Sequence, residues 1–144
     1  MSDWTFERPP ELPLPQPSEE SAPFWDALKE RRLMLQKCAV CGAISHPPRA
    51  KCGSCGAMEF VWQASEGVGE VHSYVITHQA VHPALTGYTP FATVEVALAE
   101  GVRMTSNLID TPPEQVAIGQ PVQVEFMDVG EGVVLPMFRR QQGK

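Results

Sequence analysis

The sequence contains no apolar run near the roughly 18 residues that a membrane-spanning helix requires, and no apolar segment follows a basic start at its N-terminus. A cytoplasmic chain is therefore expected. Cysteine is scarce, with four in 144 residues. Basic side chains number 11 against 17 acidic ones, for a net charge of -6. Residues 60 to 144 hold 9 of the acidic groups and 4 of the basic ones, so that part of the chain repels a phosphate backbone. The four histidines, His46, His72, His78 and His82, lie in no metal or nucleophile motif, and no residue set has the company that nucleophilic catalysis requires.

The cysteines form two matching steps, Cys38-Ala39-Val40-Cys41 and Cys52-Gly53-Ser54-Cys55, each followed by glycine (Gly42, Gly56). A CxxC step puts two thiolates on one side of a tight turn, and the glycine after it takes the positive φ that lets backbone amides face sulfur. Together the two steps supply a tetrahedral four-sulfur shell, suited to zinc or to iron. Four thiolates leave no open position for substrate, so the metal reads as structural. Ten residues separate the pairs, fewer than the about 15 to 20 of the usual zinc template. A redox dithiol fits less well, because both copies lie in Gly- and Pro-rich surroundings without helical period. Disulfides would require an oxidising compartment.

Along the chain, Arg8 to Pro17 contains five prolines and reads as an extended arm, with Leu12 and Leu14 either laid along a neighbouring surface or in a free tail. Ser21-Ala22-Pro23 signals a helix start, with Ser21 as capping hydroxyl, and Phe24, Trp25 and Leu28 follow at helical spacing, giving a helix over residues 22 to 31. Lys29, Arg31, Arg32, Lys37, Arg49 and Lys51 gather cations near the cysteines, either as a solvated face or as a site for a phosphate-bearing ligand or an acidic partner. Five β-rich runs follow: Val68 to Val81, Phe91 to Ala99, Val102 to Ile109, Val122 to Met127 and Val133 to Phe138. Glu100-Gly101 and Asp128 to Gly132 are turns, and Thr111 to Gln115 opens one helical turn between the third and fourth runs, the OB-fold arrangement. The expected fold is mainly β with a short N-terminal helix: arm and helix over 1 to 32, a rubredoxin-like zinc ribbon over 33 to 61, and a five-stranded OB-fold barrel over 62 to 144. Within the barrel, strand parity puts His72 and His78 on one face with Tyr74 and Ile76, and leaves Glu95 and Glu125 facing outward.

In this order, Pro23-Phe24-Trp25-Asp26-Ala27-Leu28, Leu33 to Cys38, His46-Pro47-Pro48-Arg49, Gly67-Val68-Gly69-Glu70-Val71, Val94-Glu95-Val96, Glu100 to Arg103, Ile118 to Val122 and Leu135 to Arg139 resemble the acyl-CoA-associated OB-fold proteins with a zinc ribbon, the domain of unknown function family thirty-five. The resemblance covers nearly the whole chain. It implies an accessory subunit, not catalytic alone, docked on a thiolase-superfamily or lipid-transfer-protein-like enzyme in a hetero-oligomer and shaping the passage for its CoA thioester. A steroid side-chain aldolase is the partner it favours, with a MaoC-type enoyl-CoA hydratase as the alternative. The implied cofactor is structural zinc on Cys38, Cys41, Cys52 and Cys55, and Lys37, His46, Arg49, Lys51 and Tyr74 are the candidates for contact with CoA or partner.

Two other classes stay in view. Zinc ribbons and OB barrels often bind nucleic acid, but here the barrel is acidic and Phe91 is the sole stacking candidate on the second and third runs. A stand-alone acyl-CoA binding module would use Arg49 and Lys51 on the phosphates and would bind CoA tightly by itself.

Overall fold

The computed structural model describes residues 4–141. Helix α1 (Ala22–Lys29) opens with Pro23 in its first turn, and Trp25 N donates to Ser21 O at 3.2 Å. The expected capping bond of Ser21 is not made: its Oγ instead accepts from Ser18 N at 2.8 Å. The helix ends in a Schellman motif, with Arg32 N on Ala27 O and Arg31 N on Leu28 O. Arg31 takes the left-handed position, φ 61°, that glycine usually fills.

Three short strands follow, β1 (Met34–Cys38), β2 (Ile44–Ser45) and β3 (Phe60–Ala64), in an antiparallel sheet of order β2-β1-β3. The second sheet contains β4 (Val68–Thr77), β5 (Phe91–Leu98), β6 (Arg103–Ser106), β7 (Pro121–Gly130) and β8 (Val133–Arg140), in the order β6-β5-β4-β7-β8. A parallel bridge from Leu108 to Phe138 brings the two ends together, so the five strands form a nearly closed barrel. A 3-10 turn, Pro113–Gln115, sits between β6 and β7. The β7–β8 hairpin turns through Glu131 and Gly132, both at positive φ, as a two-residue loop of matched twist requires.

Burial follows the sequence pattern most closely on β5, where Ala92, Val94, Val96 and Leu98 point inward and the residues between them stay partly exposed. One core joins all parts: Phe24 and Leu28 of α1, Leu33 and Leu35 at the start of the ribbon, and Val71, Val96, Met104, Val122 and Phe138 of the barrel. Gly69 lies where β4 and β5 approach so closely that a Cβ would collide with the carbonyl of Ala97.

Three expectations change. The first barrel strand stops at Thr77 instead of Val81, and the third covers only Arg103–Ser106. The β4–β5 register slips between Val71 and Ser73, leaving His72 as a bulge residue, while His78 lies beyond the strand. Parity therefore breaks: Tyr74 pairs with Val94 and Ile76 with Ala92, and neither histidine shares their face by alternation. The proline-rich arm lies on the chain's own barrel. Phe6 N donates to Ile109 O at 2.8 Å, Pro9 is buried, and Phe6 and Leu12 share a hollow of about 210 Å³ with Leu85, Tyr88 and Phe91. Phe91 is thus partly covered by the arm, which makes it a poor stacking platform.

Candidate metal centre and an adjoining cleft

Each cysteine pair folds into the same knuckle. Cys38 N donates to Ala43 O and Cys52 N to Ala57 O, both at 2.8 Å, and Gly42 N and Gly56 N return to Cys38 O and Cys52 O at 3.0 Å. Gly42 and Gly56 have φ near 82° and 81°, which a side chain would strain. Inside the knuckles, Val40 N and Cys41 N point at Cys38 Sγ and Ser54 N at Cys52 Sγ, each at 3.4 Å. These amides stabilise negative sulfur.

The two knuckles close on each other. Cys38 Sγ lies 3.6 Å from Cys55 Sγ and Cys41 Sγ 3.7 Å from Cys52 Sγ, and all four sulfurs fall within 4.8 Å of one another. A tetrahedron of metal–sulfur bonds near 2.3 Å has edges of about 3.8 Å, so the four cysteines fit one soft metal ion. The thiols also compete for negative charge. The amides of Cys55 and Ser54 draw Cys52 down to about 6. Cys55 has the Ala57 amide pulling it down, yet the sulfurs of Cys38, Cys41 and Cys52, with burial, push it up to about 12. Four thiolates at once require a cation between them. Lys37 and Lys51 each precede a knuckle and run their stems beside Gly42 and Gly56, where positive charge offsets the excess of four thiolates over a divalent ion.

Next to the second knuckle, a cleft of about 840 Å³ separates ribbon from barrel. Ser45, His46, Arg49 and Ser54 line one wall, and Glu95, Val102, Arg103 and Thr105 the other. Gly53 leaves room for the Arg49 guanidinium, with which any Cβ there would collide. The loop carrying Arg49 is held by buried Gln36, whose Nε2 donates to Arg49 O at 2.8 Å and whose Oε1 accepts from Arg49 N at 2.9 Å. His46, Pro47 and Thr105 also line a second hollow of about 310 Å³, whose other walls include Trp25, Met104, Leu135 and Met137. The two hollows thus share three residues and make one groove, lined at one end by Arg49, Arg103, Glu95 and hydroxyls and apolar at the other. At the junction, the His46 ring rests 5.1 Å from that of Phe24, and burial holds its imidazole below the ordinary range, favouring the neutral form.

Of the residues singled out from sequence, the structure brings the four cysteines together, places His46 and Arg49 in the cleft, and sets Lys37 and Lys51 along the knuckles. Tyr74 stands apart on β4. Arg31 and Arg32 leave the expected cation cluster for ion pairs with Asp128 at 2.6 Å and Glu30 at 2.8 Å. Arg103 and Gln36 were not anticipated. Gln36 carries a local signal, being the one neutral polar residue in an apolar strand; Arg103 reaches the cleft only through the β5–β6 hairpin. Glu95 and Glu125 bond to Ser73 and Arg139. Among the described residues, no helix is long and apolar enough to cross a membrane.

Comparison with known proteins places these features. The family described as ChsH2, rubredoxin-like zinc ribbon domain, matches residues 25–61, and that described as ChsH2, C-terminal OB-fold domain, matches residues 62–127. A probable enoyl-CoA hydratase alpha subunit of Thermomonospora curvata is 34% identical over 139 residues, 96% of this chain and 43% of that protein. The 3-oxo-4,17-pregnadiene-20-carboxyl-CoA hydratase alpha subunit of Mycobacterium tuberculosis is 36% identical over 114 residues, 79% of this chain and 36% of that protein. The chain thus spans less than half the length of both subunits. A DUF35 domain-containing scaffold protein of Methanocaldococcus jannaschii is 31% identical over 109 residues, 74% of this chain and 77% of that protein. Among solved structures, the Ltp2-ChsH2(DUF35) aldolase contains a chain with a TM-score of 0.80 and 33% identity, covering 88% of this chain and 98% of its own.

Proposed function

The chain belongs to the ChsH2 (DUF35) family, in which a rubredoxin-like zinc ribbon leads into an OB-fold domain, and from that premise we propose that it is a non-catalytic accessory subunit of a hetero-oligomeric acyl-CoA enzyme. The observation that carries this reading is the groove between ribbon and barrel. Arg49 and Arg103 stand at one end, an apolar stretch at the other, and no nucleophile paired with a base lies between them. Such a groove suits the phosphates and the acyl part of a CoA thioester better than it suits a reaction. The metal, which we take to be zinc, fixes the knuckle that supports Arg49.

The partner we favour is a thiolase-like aldolase acting on a steroid side-chain CoA ester, because the aldolase chain covers nearly its full length in the match. The alternative is a hydratase partner, supported by the names of the two alpha subunits. The test is purification of the tagged chain from its host. A companion that cleaves a carbon–carbon bond of an acyl-CoA supports the first partner, and one that adds water across a double bond supports the second. The isolated chain should hold one zinc and show no turnover. In the complex, Arg49→Ala or Arg103→Ala should raise KM for the CoA thioester about tenfold with kcat little changed, since a charge-assisted contact contributes about 1.5–3 kcal/mol. Turnover by the isolated chain, or recovery of the chain without any enzyme, would overturn the reading.

A further inference from the structure

From Val71 to Val94 the chain carries no Asp, Glu, Lys or Arg, in a protein with 28 such residues. Part of this stretch is core, and Leu85, Tyr88 and Phe91 sit against the arm. The rest is surface. Val75 is 62% exposed and Val81 81%, Tyr74 is partly exposed, and His72, His78 and His82 are exposed.

The backbone here is also incomplete. β5 pairs with β4 from Gly69 to Thr77, but β7 pairs with it only over Val68–Glu70. Val71 finds Gln120 and Gly119 on that side, and beyond it, among the described residues, the edge of Ser73–Thr77 has no backbone partner. Natural sheets protect such edges with charge, proline or brevity. The other edges do so: β2 has two residues, β6 carries Arg103, the unpaired half of β7 carries Glu125 and Asp128, and β3 is bounded by Glu59 and Glu66. β3 is also uncharged within its five residues and has Val61 half exposed, but it lies between Glu59 and Glu66; the open edge of β4 instead runs on into an uncharged loop, with Val75 and Val81 exposed.

We propose that the Ser73–Thr77 edge of β4, with the loop to His82, receives an extended, uncharged segment of the acyl-CoA enzyme subunit as an added strand; the identity of the occupant rests on the accessory role proposed above. The charge distribution selects it. The stretch itself carries no ion to desolvate, and the neighbouring Glu95 carboxylate is already bonded to Ser73 Oγ at 3.3 Å; such a surface suits the core of a protein interface and offers nothing to phosphate or nucleic acid. Strand addition would pair the open amides and carbonyls and cover Val75.

The experiment uses the full chain purified with its enzyme companion. Those backbone amides of Ser73–Thr77 that face away from β5 should exchange at least tenfold more slowly in the complex than in the free chain. Val75→Glu should weaken association at least tenfold, Val75→Thr should preserve it, and Val61→Glu, at a half-exposed position on the β3 edge, should leave it unchanged. Circular dichroism and metal content confirm that each variant is folded; if Val75→Glu is not, the exchange measurement on the wild-type complex decides. Undiminished association of folded Val75→Glu, or unprotected amides, overturns this inference while leaving the accessory role intact. So does a free chain that dimerises through the same edge, with a second copy as occupant. Failure to recover any acyl-CoA enzyme overturns both.

Discussion

Gln36 is the buried polar side chain on which the cleft depends. It is 3% exposed in the middle of β1, and its amide satisfies both the N–H and the C=O of Arg49, thirteen residues away. Replacing it by leucine keeps the volume but leaves two backbone groups without partners. Each orphaned group costs about 1–3 kcal/mol when it stays buried, and part of that cost is recovered if the loop moves toward water. Gln36→Leu should therefore lose about 2 kcal/mol in denaturant unfolding with an unchanged m-value. A loss below a few tenths would mean that the loop holds its place without this clamp. The cysteines were legible at this scale because a four-sulfur shell constrains spacing directly. Arg103 was not, since it meets Arg49 across a cleft made by two elements far apart in sequence.

Among the elements, the arm shows how local and distant forces divide the work. Its prolines fix an extended path before folding, so little entropy is lost when it settles. The destination is set by the barrel: Phe6 bonds to Ile109, and Phe6, Pro9 and Leu12 cover Leu85, Tyr88 and Phe91. Removal of residues 1–17 should expose that apolar surface, lower stability by about 1–3 kcal/mol, and raise the binding of a hydrophobic dye. An unchanged midpoint and dye signal would show that the arm adds nothing to the isolated chain. Extension was readable from sequence only in part, since the arm turns at Pro10 and Glu11, where Leu12 N donates to Pro9 O at 3.2 Å, and the surface it covers was not readable at all. The same division holds on β4 and α1. Alternation placed β4, but the bulge at His72 depends on its register with β5, and the Ser21 hydroxyl is claimed by Ser18 instead of by the helix.

At the scale of the whole molecule, the cysteine ribbon and the barrel share one hydrophobic core. The sequence separates ribbon from barrel by composition, and the strand order bears out both architectures, but the contact between them depends on which apolar faces meet. Leu33 and Leu35 leave the ribbon and Phe24 and Leu28 leave the helix for the same core as Val96 and Phe138. Loss of the metal must then be felt in the barrel. A structural zinc site contributes on the order of 10 kcal/mol to folding, while a domain of this size is stable by only about 5–15 kcal/mol in total. Chelation under reducing conditions, or Cys52→Ser, should therefore lower the midpoint of the entire chain in a single transition. Tryptophan fluorescence, from Trp25 and Trp62 near the ribbon, and amide exchange at Val94 and Val96 in the barrel should lose their native signals together. Separate transitions, with the β5 amides still protected after the metal is gone, would show instead that the barrel stands without the ribbon and that the shared core is dispensable to it.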